Sequence, residues 1–245
     1  TKKQIYIMYV GPDIVTDGLE GAIDGGSWDR MNGTQTGSNY YVGLLEGTPA
    51  QRCFVNSDTT VPSTTPYNFG FGADANTYIQ IPDADGAFPA NDGPFDFSAG
   101  AGYTVDIWVM RTAFGTWQSG GTTNYDGIWN YYWNHSLSFS GAHTGVNKIQ
   151  GTGLSGFSIS MNTWYNVIMT HDNTNTSQHK IYINNNLEQT STVGNAGSAR
   201  RFFVGNWDSN WSMVGNVPII RVYNRPLTSS EVTKNWNSTK NRFGL

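Results

Sequence analysis

Cys53 is the only cysteine in this 245-residue chain, which excludes an intramolecular disulfide and a cysteine-based zinc site. A small buried hydrophobe is its expected role. Charged side chains are scarce at 13%, the net charge is -4, and no cluster of lysine and arginine occurs. The chain therefore has no electrostatic footprint for nucleic acid. No stretch approaches the roughly 20 apolar residues of a membrane-spanning helix, so no membrane insertion is expected. The opening TKKQIYIMYV lacks the long apolar core of a secretory signal, and the expectation is synthesis in a cytoplasm without export. Glutamate is rarer still, being confined to Glu20, Glu46, Glu188 and Glu231. The histidines, His135, His143, His171 and His179, show no ligand spacing, and no Gly-x-Ser-x-Gly elbow accompanies them. Surface or strand-end positions are expected for them.

What the chain does hold is 29 glycines, abundant Asn, Ser and Thr, and 14% aromatics. That mixture suits many short strands joined by polar turns, in one all-β domain rather than two. No repeat of 20 to 50 residues is visible, which argues against propellers and solenoids.

Residues 4–10 (QIYIMYV) are apolar on both faces and stop at Gly11-Pro12, reading as a buried or inter-subunit strand within an N-terminal arm, 1–13. Residues 14–26 read as an edge strand opening the domain at 14–245. Strand patterns recur at 68–82, 103–110, 126–140, 153–160, 162–172, 179–189 and 200–208. The sharpest is YTVDIWVM, 103–110, with Tyr103, Val105, Ile107 and Val109 on one face and Thr104, Asp106, Trp108 and Met110 on the other. Asn185-Asn186 offers the positive φ of a tight hairpin. The closing run, 214–245, is a strand followed by Asn-Arg-Pro-Leu and a short helix. Thr228 three residues before Glu231 has the spacing of a capping box, and Val232 and Trp236 share a face. This helix is expected to cover one end of a sandwich.

Four blocks, FGADANTYIQIP, YTVDIWV, NTWYNVIMTHD with KIYINNN, and FFVGNWD with VPIIRVYNRPLTSSEV, resemble the concanavalin A-like lectin and laminin-G-like jelly rolls. The resemblance implies an antiparallel jelly-roll β-sandwich with one short C-terminal helix. The ending NWNSTKNRFGL and the segment IVTDGL are similar to laminin-G-like structural proteins of tailed bacteriophages. That second likeness implies a non-enzymatic virion protein, a capsid decoration protein ahead of a tail or fibre component. Its partners would be the major capsid or other virion proteins, in a homo-oligomer or lattice at the virion surface. Ile5, Tyr6, Ile7, Met8 and Tyr9 would supply the contact, adding a strand to a neighbour's sheet.

The alternative function is an extracellular carbohydrate-binding or adhesion module. Sugar recognition needs flat aromatic faces with amides and carboxylates beside them. Two clusters qualify: Trp129, Tyr131 and Trp133, and Asn206, Trp207, Asp208 and Trp211. Alternation exposes at most half of the first, and the competing reading, core or subunit contact, weighs more. Retaining glycanases of this fold need two glutamates close together on one strand, and that motif is absent. No catalytic residue is assigned. No cofactor is required, although calcium is an option that relatives exploit and Asp126, Asp172 or Asp208 would serve as oxygen donors. Solvated turn aspartates are the preferred reading of all three.

Overall fold

The computed structural model describes residues 14–24, 34–36, 39–43, 52–55, 69–71, 79–81, 100–115, 125–132, 135–140, 147–174, 178–194, 202–205 and 213–245. The strands in chain order are β1 (Leu19–Asp24), β2 (Thr34–Thr36), β3 (Asn39–Gly43), β4 (Arg52–Val55), β5 (Phe69–Phe71) and β6 (Ile79–Ile81). They continue with β7 (Gly102–Ala113), β8 (Tyr125–Tyr132), β9 (His135–Ser140), β10 (Lys148–Gly151) and β11 (Leu154–Ser158). The last are β12 (Trp164–Asp172), β13 (Gln178–Ile183), β14 (Asn186–Thr192), β15 (Phe202–Val204) and β16 (Val214–Tyr223). Helix α1 (Ser229–Thr239) and a 3-10 turn (Lys240–Phe243) complete the chain.

Two antiparallel sheets result. One has seven strands, in the order β1-β16-β7-β12-β13-β14 with β5 also on β16; the other has nine, in the order β11-β10-β9-β8-β15-β6-β4-β3-β2. The expected edge strand at 14–26 is β1, which among the described strands pairs with β16 alone. The 68–82 pattern divides into β5 and β6, which join different sheets, and the 126–140 pattern folds into the hairpin β8–β9. Strand β10 carried no signal in the sequence reading. The N-terminal arm, with Ile5, Tyr6, Ile7, Met8 and Tyr9, lies outside the described residues, as does the side chain of Cys53.

Alternation builds the core. Tyr103, Val105, Ile107 and Val109 of β7 pack inward against Ile128, Leu137, Phe139 and Ile149 of the facing sheet. Asp106 and Trp108 point the other way and are equally buried, because α1 lies over that face. The helix thus covers a face of the seven-stranded sheet rather than an end of the sandwich, which corrects the expectation. Its contacts explain why: Val232 joins Ile168, Tyr182, Tyr223 and Leu227 in a second core, while Trp236 stacks on Trp108 with centroids 5.3 Å apart. Ile14, Val15 and Leu19 of the IVTDGL segment belong to that same cluster.

Pro218 sits inside β16 without breaking it. The register with β7 slips between Asn216 and Ile219, and on the other side β5 pairs residues 215–217 while β1 pairs from Ile219 onward. A residue with no N–H thus falls at the irregularity. The β13–β14 hairpin turns on Asn184 and Asn185, with φ of 49° and 68°, one position earlier than expected from sequence. Asn186 is already paired with Ile183.

The capping box forms as read: Thr228 accepts from the Glu231 N–H, and Glu231 accepts from the Thr228 N–H at 2.8 Å. Arg225 holds Glu231 from the other side at 3.0 Å, and this bond pulls the carboxyl down to about 2. The pair therefore stabilises the fold above the ordinary glutamate value of 4.5, a contribution that fades as pH falls toward 2. Thr228→Ala removes the cap and is expected to cost about 1 kcal/mol in urea unfolding, with an unchanged m-value.

Candidate functional site

The strand registers fix two ends of the sandwich. At the first, Ala113 of β7 lies beside Val214 of β16, and Tyr125, Ser140 and Lys148 stand in one row of the other sheet. At the second, Gly102 lies beside Asp172, and Tyr132 beside His135. Gly102 has a φ of +132°, and a Cβ there would lie 2.0 Å from the His171 carbonyl, so only glycine allows this approach.

The two aromatic segments belong to opposite ends. The link between Tyr132 and His135 that contains Trp133 leaves from the Gly102 end. The excursion carrying Asn206, Trp207, Asp208 and Trp211 starts and finishes at the Ala113 end, where the Met213 N–H donates to the Gly205 carbonyl at 2.9 Å. The side chains of Trp133, Asn206, Trp207, Asp208 and Trp211 lie outside the described residues. Trp129 and Tyr131 are described and are core residues, 0% and 1% exposed, with Trp129 stacked on Phe202. Neither presents a face to a sugar. The register sets Trp129 beside Leu137 of the core, and irregularities in β8 on either side of it bring Ile128 and Tyr131 into the same cluster.

The Ala113 end has a buried polar base. Arg111, 0% exposed, crosses from β7 to the other sheet, where Nη2 pairs with Asp126 and Nη1 donates to the Ser140 carbonyl at 2.7 Å and to Asn147 Oδ1 at 2.9 Å. Asp126 also accepts from the Gly115 N–H at 3.0 Å, which fixes the chain leaving β7. Burial pushes the Asp126 carboxyl upward, and Arg111 opposes that rise. Over this base lies Phe114, its ring 4.4 Å from the Arg111 guanidinium and the residue 38% exposed. It is an aromatic with one face backed by a cation and surface left open to solvent. Composition gave no reason to select it: it follows a long strand and has no aromatic neighbour in sequence.

The aspartates considered for calcium are otherwise engaged where described. Asp126 is committed to Arg111 and Gly115, and Asp172 caps its own turn by accepting from the Thr174 N–H at 2.8 Å and Oγ1 at 2.7 Å. Asp208 lies outside the described residues. No group of three His, Cys, Asp or Glu among the described residues is arranged to hold a metal ion.

The described histidines lie at strand ends, one of the two placements expected, but none is at the surface. His135, His171 and His179 are each 0% exposed and converge inside the Gly102 end, with ring centroids 5.1 to 6.3 Å apart. His143 lies outside the described residues. Tyr103 joins them, stacked on His171 at 5.3 Å and hydrogen-bonded to His135 Nδ1.

No helix among the described residues is long and apolar enough to cross a membrane. Comparison with curated protein sequences gives no match. Solved structures of the same fold include the Trypanosoma rangeli sialidase in complex with sialic acid, with TM-score 0.61, 14% identity and coverage of 97% of this chain and 36% of that one. The binding domain of Botulinum neurotoxin DC in complex with SialylT gives TM-score 0.55 and 11% identity over 90% of this chain and 51% of that one. The Botulinum neurotoxin serotype G binding domain gives TM-score 0.55 and 14% identity over 89% and 50%. The chain thus spans about a third of the sialidase and half of the toxin domains. At these identities the likeness is one of fold. The sequence model of the concanavalin A-like lectin/glucanases superfamily, however, matches residues 71–233, most of the chain, and the protein belongs to that superfamily.

Proposed function

We propose that the protein is a non-enzymatic carbohydrate-binding module whose saccharide site lies at the Ala113 end. The observation that carries this reading is Phe114, an exposed ring backed by buried Arg111, one residue beyond the strand pair that anchors the 206–212 excursion. Trp207 and Trp211 would add aromatic faces to that ring, and Asn206 and Asp208 would supply hydroxyl partners. Trp133, in the link that leaves from the Gly102 end, is not part of the proposed site. The superfamily includes lectins, and the sialidase and the Botulinum neurotoxin DC binding domain are described in complex with sialic acid and SialylT.

Binding fits the described glutamates better than hydrolysis does, Glu46 lying outside the described residues. Glu231 is held by Arg225 and Thr228, Glu20 accepts from Asn224, and Glu188 lies on the edge strand β14. A virion role rests on the ending NWNSTKNRFGL and on IVTDGL, and both have duties in the fold itself: the first forms the end of α1 and the 3-10 turn over the sheet, the second fills the core beneath it. No further observation favours that reading or an extended arm contact, so surface glycans are the proposed partner.

A glycan array carrying sialylated and unsialylated oligosaccharides tests the proposal. The expected result is binding that Phe114→Ala, Trp207→Ala or Trp211→Ala each weakens roughly thirtyfold, the effect of about 2 kcal/mol at an aromatic anchor. Trp133→Ala is expected to leave it unchanged. Absence of binding to every glycan overturns the proposal.

A further inference from the structure

The second end of the sandwich is closed by histidines where a sheet of this kind would ordinarily place aliphatic side chains. Register aligns Tyr103, His171, His179 and Ser191 as one row across β7, β12, β13 and β14. His135 reaches into this row from β9 of the facing sheet. In the neutral ring with the proton on Nε2, His135 donates to the Gly194 carbonyl at 3.1 Å and accepts the Tyr103 hydroxyl proton at Nδ1. It therefore ties both the start of β7 and the exit of β14 to the opposite sheet. His171 and His179 face each other Nδ1 to Nδ1 at 3.3 Å, a contact that requires one nitrogen to donate and the other to accept.

Burial of all three rings favours this arrangement with the rings uncharged. A proton added to His179 makes both of its nitrogens donors, so the Nδ1 pair survives only if His171 turns acceptor, and it places a cation in a dry interior. Among the described residues, the groups facing His179 are His171 from β12, His135 from β9 and the Ser191 hydroxyl from β14, with the Tyr103 phenol of β7 in contact with the first two. Tyr131 of β8 bears on Tyr103 in turn. No carboxylate of the described residues is among them: Asp172 and Lys180, the adjacent charged residues, alternate to the other face of the sheet. His179 Nε2 and Ser191 Oγ are both buried without hydrogen-bond partners, and Gly153 packs against both residues so closely that a Cβ there would lie 2.2 Å from Ser191 Oγ.

We propose that His135, His171 and His179 form an acid-released latch that holds the edge hairpin β13–β14 against the facing sheet and lets that end open when they become protonated. The edge position matters, since among the described strands β14 pairs with β13 alone and its residues are largely exposed, so parting of the hairpin breaks the β12–β13 ladder but leaves the ladders of β7 with β12 and β16 in place. Desolvation, then His171 and His135, hold His179 down to about 3, against an ordinary 6.5 regained on opening. The closed form thus binds fewer protons than the open one between these values. Closure is fully favoured above 6.5 and is lost as pH falls toward 3, by about tenfold in the closing equilibrium per pH unit for each proton taken up.

Hydrogen exchange read by mass spectrometry on the full chain, corrected for the intrinsic rate at each pH, tests this. Between pH 6.5 and 4.5, protection in peptides from β13 and β14 is expected to fall about tenfold per pH unit while peptides from β7 and β16 hold theirs. His179→Leu, similar in volume and unable to charge, is expected to flatten that dependence. Where the variant does not fold, histidine NMR titration of the unaltered protein replaces it, with the buried rings expected to take up protons only together with the loss of protection. Constant protection of β13 and β14, an equal fall in all strands, or an undiminished slope in His179→Leu overturns the proposal.

Discussion

Asp106→Asn is expected to destabilise the protein by about 3–5 kcal/mol and to lower its Tm by about 10 °C, although it changes a single atom. Asp106 lies under α1 with no exposed surface, and its two oxygens receive three donors. Arg221 Nη1 at 2.8 Å and Asn235 Nδ2 at 3.0 Å meet Oδ2, and Asn166 Nδ2 at 2.8 Å meets Oδ1. An amide offers one acceptor and one donor group, so either orientation sets an NH2 against an NH2 or a guanidinium. The Arg221 cation, 3% exposed at its side chain, also loses its counter-charge. Asn235 links this hub to the helix and to the N-terminal segment, since its Oδ1 accepts from the Val15 N–H and its Nδ2 donates to the Tyr223 hydroxyl. Hydrogen exchange in α1 should therefore rise more than in β8 or β9. A loss under 1 kcal/mol in denaturant unfolding would mean that the helix is held without this hub, by Trp236, Val232 and bonds such as Trp108 Nε1 to Thr239 Oγ1.

The sheet strands were legible because alternation does not depend on what covers each face. YTVDIWVM announced two distinct faces, and both are realised, one in the inter-sheet core and one under α1. What alternation cannot reveal is which element covers the second face, so the helix was expected at an end. The turn at Asn184-Asn185 shows a related limit: three consecutive asparagines all tolerate positive φ, and the cross-strand pair of Ile183 with Asn186 selects the first two.

The strand-end placement expected of the histidines holds, but their burial was not anticipated although the signal was present. His135, Leu137 and Phe139 occupy one face of β9; Val167, Met169 and His171 one face of β12; His179, Ile181 and Ile183 one face of β13. Each histidine continues an apolar stripe, and period two alone would have turned it inward. Residue type outweighed position in that reading. The aromatic clusters illustrate the converse. Trp129 and Tyr131 were attractive as residue types, yet their place on β8 makes them core, while Phe114 becomes notable only through Arg111 behind it.

That cation leads to the second large effect. Asp126→Ala is expected to cost about 3–5 kcal/mol, because it strands a fully buried guanidinium in a dry contact between the sheets. The Ser140 carbonyl, the Ala113 carbonyl and Asn147 Oδ1 remain as acceptors for Arg111, but none carries a charge. Arg111→Met is expected to cost a similar amount, leaving Asp126 with the Gly115 N–H as its described partner. The double variant Arg111→Met with Asp126→Leu should lose clearly less than the two single losses together, since the site is already lined by the Phe139 ring, 5.1 Å from the guanidinium, and by Phe114. A double-mutant cycle by thermal and urea unfolding measures this, with strict additivity as the result that would refute a paired role. The same cycle bears on binding. Phe114 owes its backing to the Arg111 cation, so the double variant, folded and assayed well below its Tm, should bind saccharide more weakly than the unaltered protein. If it binds equally well, the ring is positioned by the backbone at Gly115 alone, and the buried pair serves only to fasten one sheet to the other.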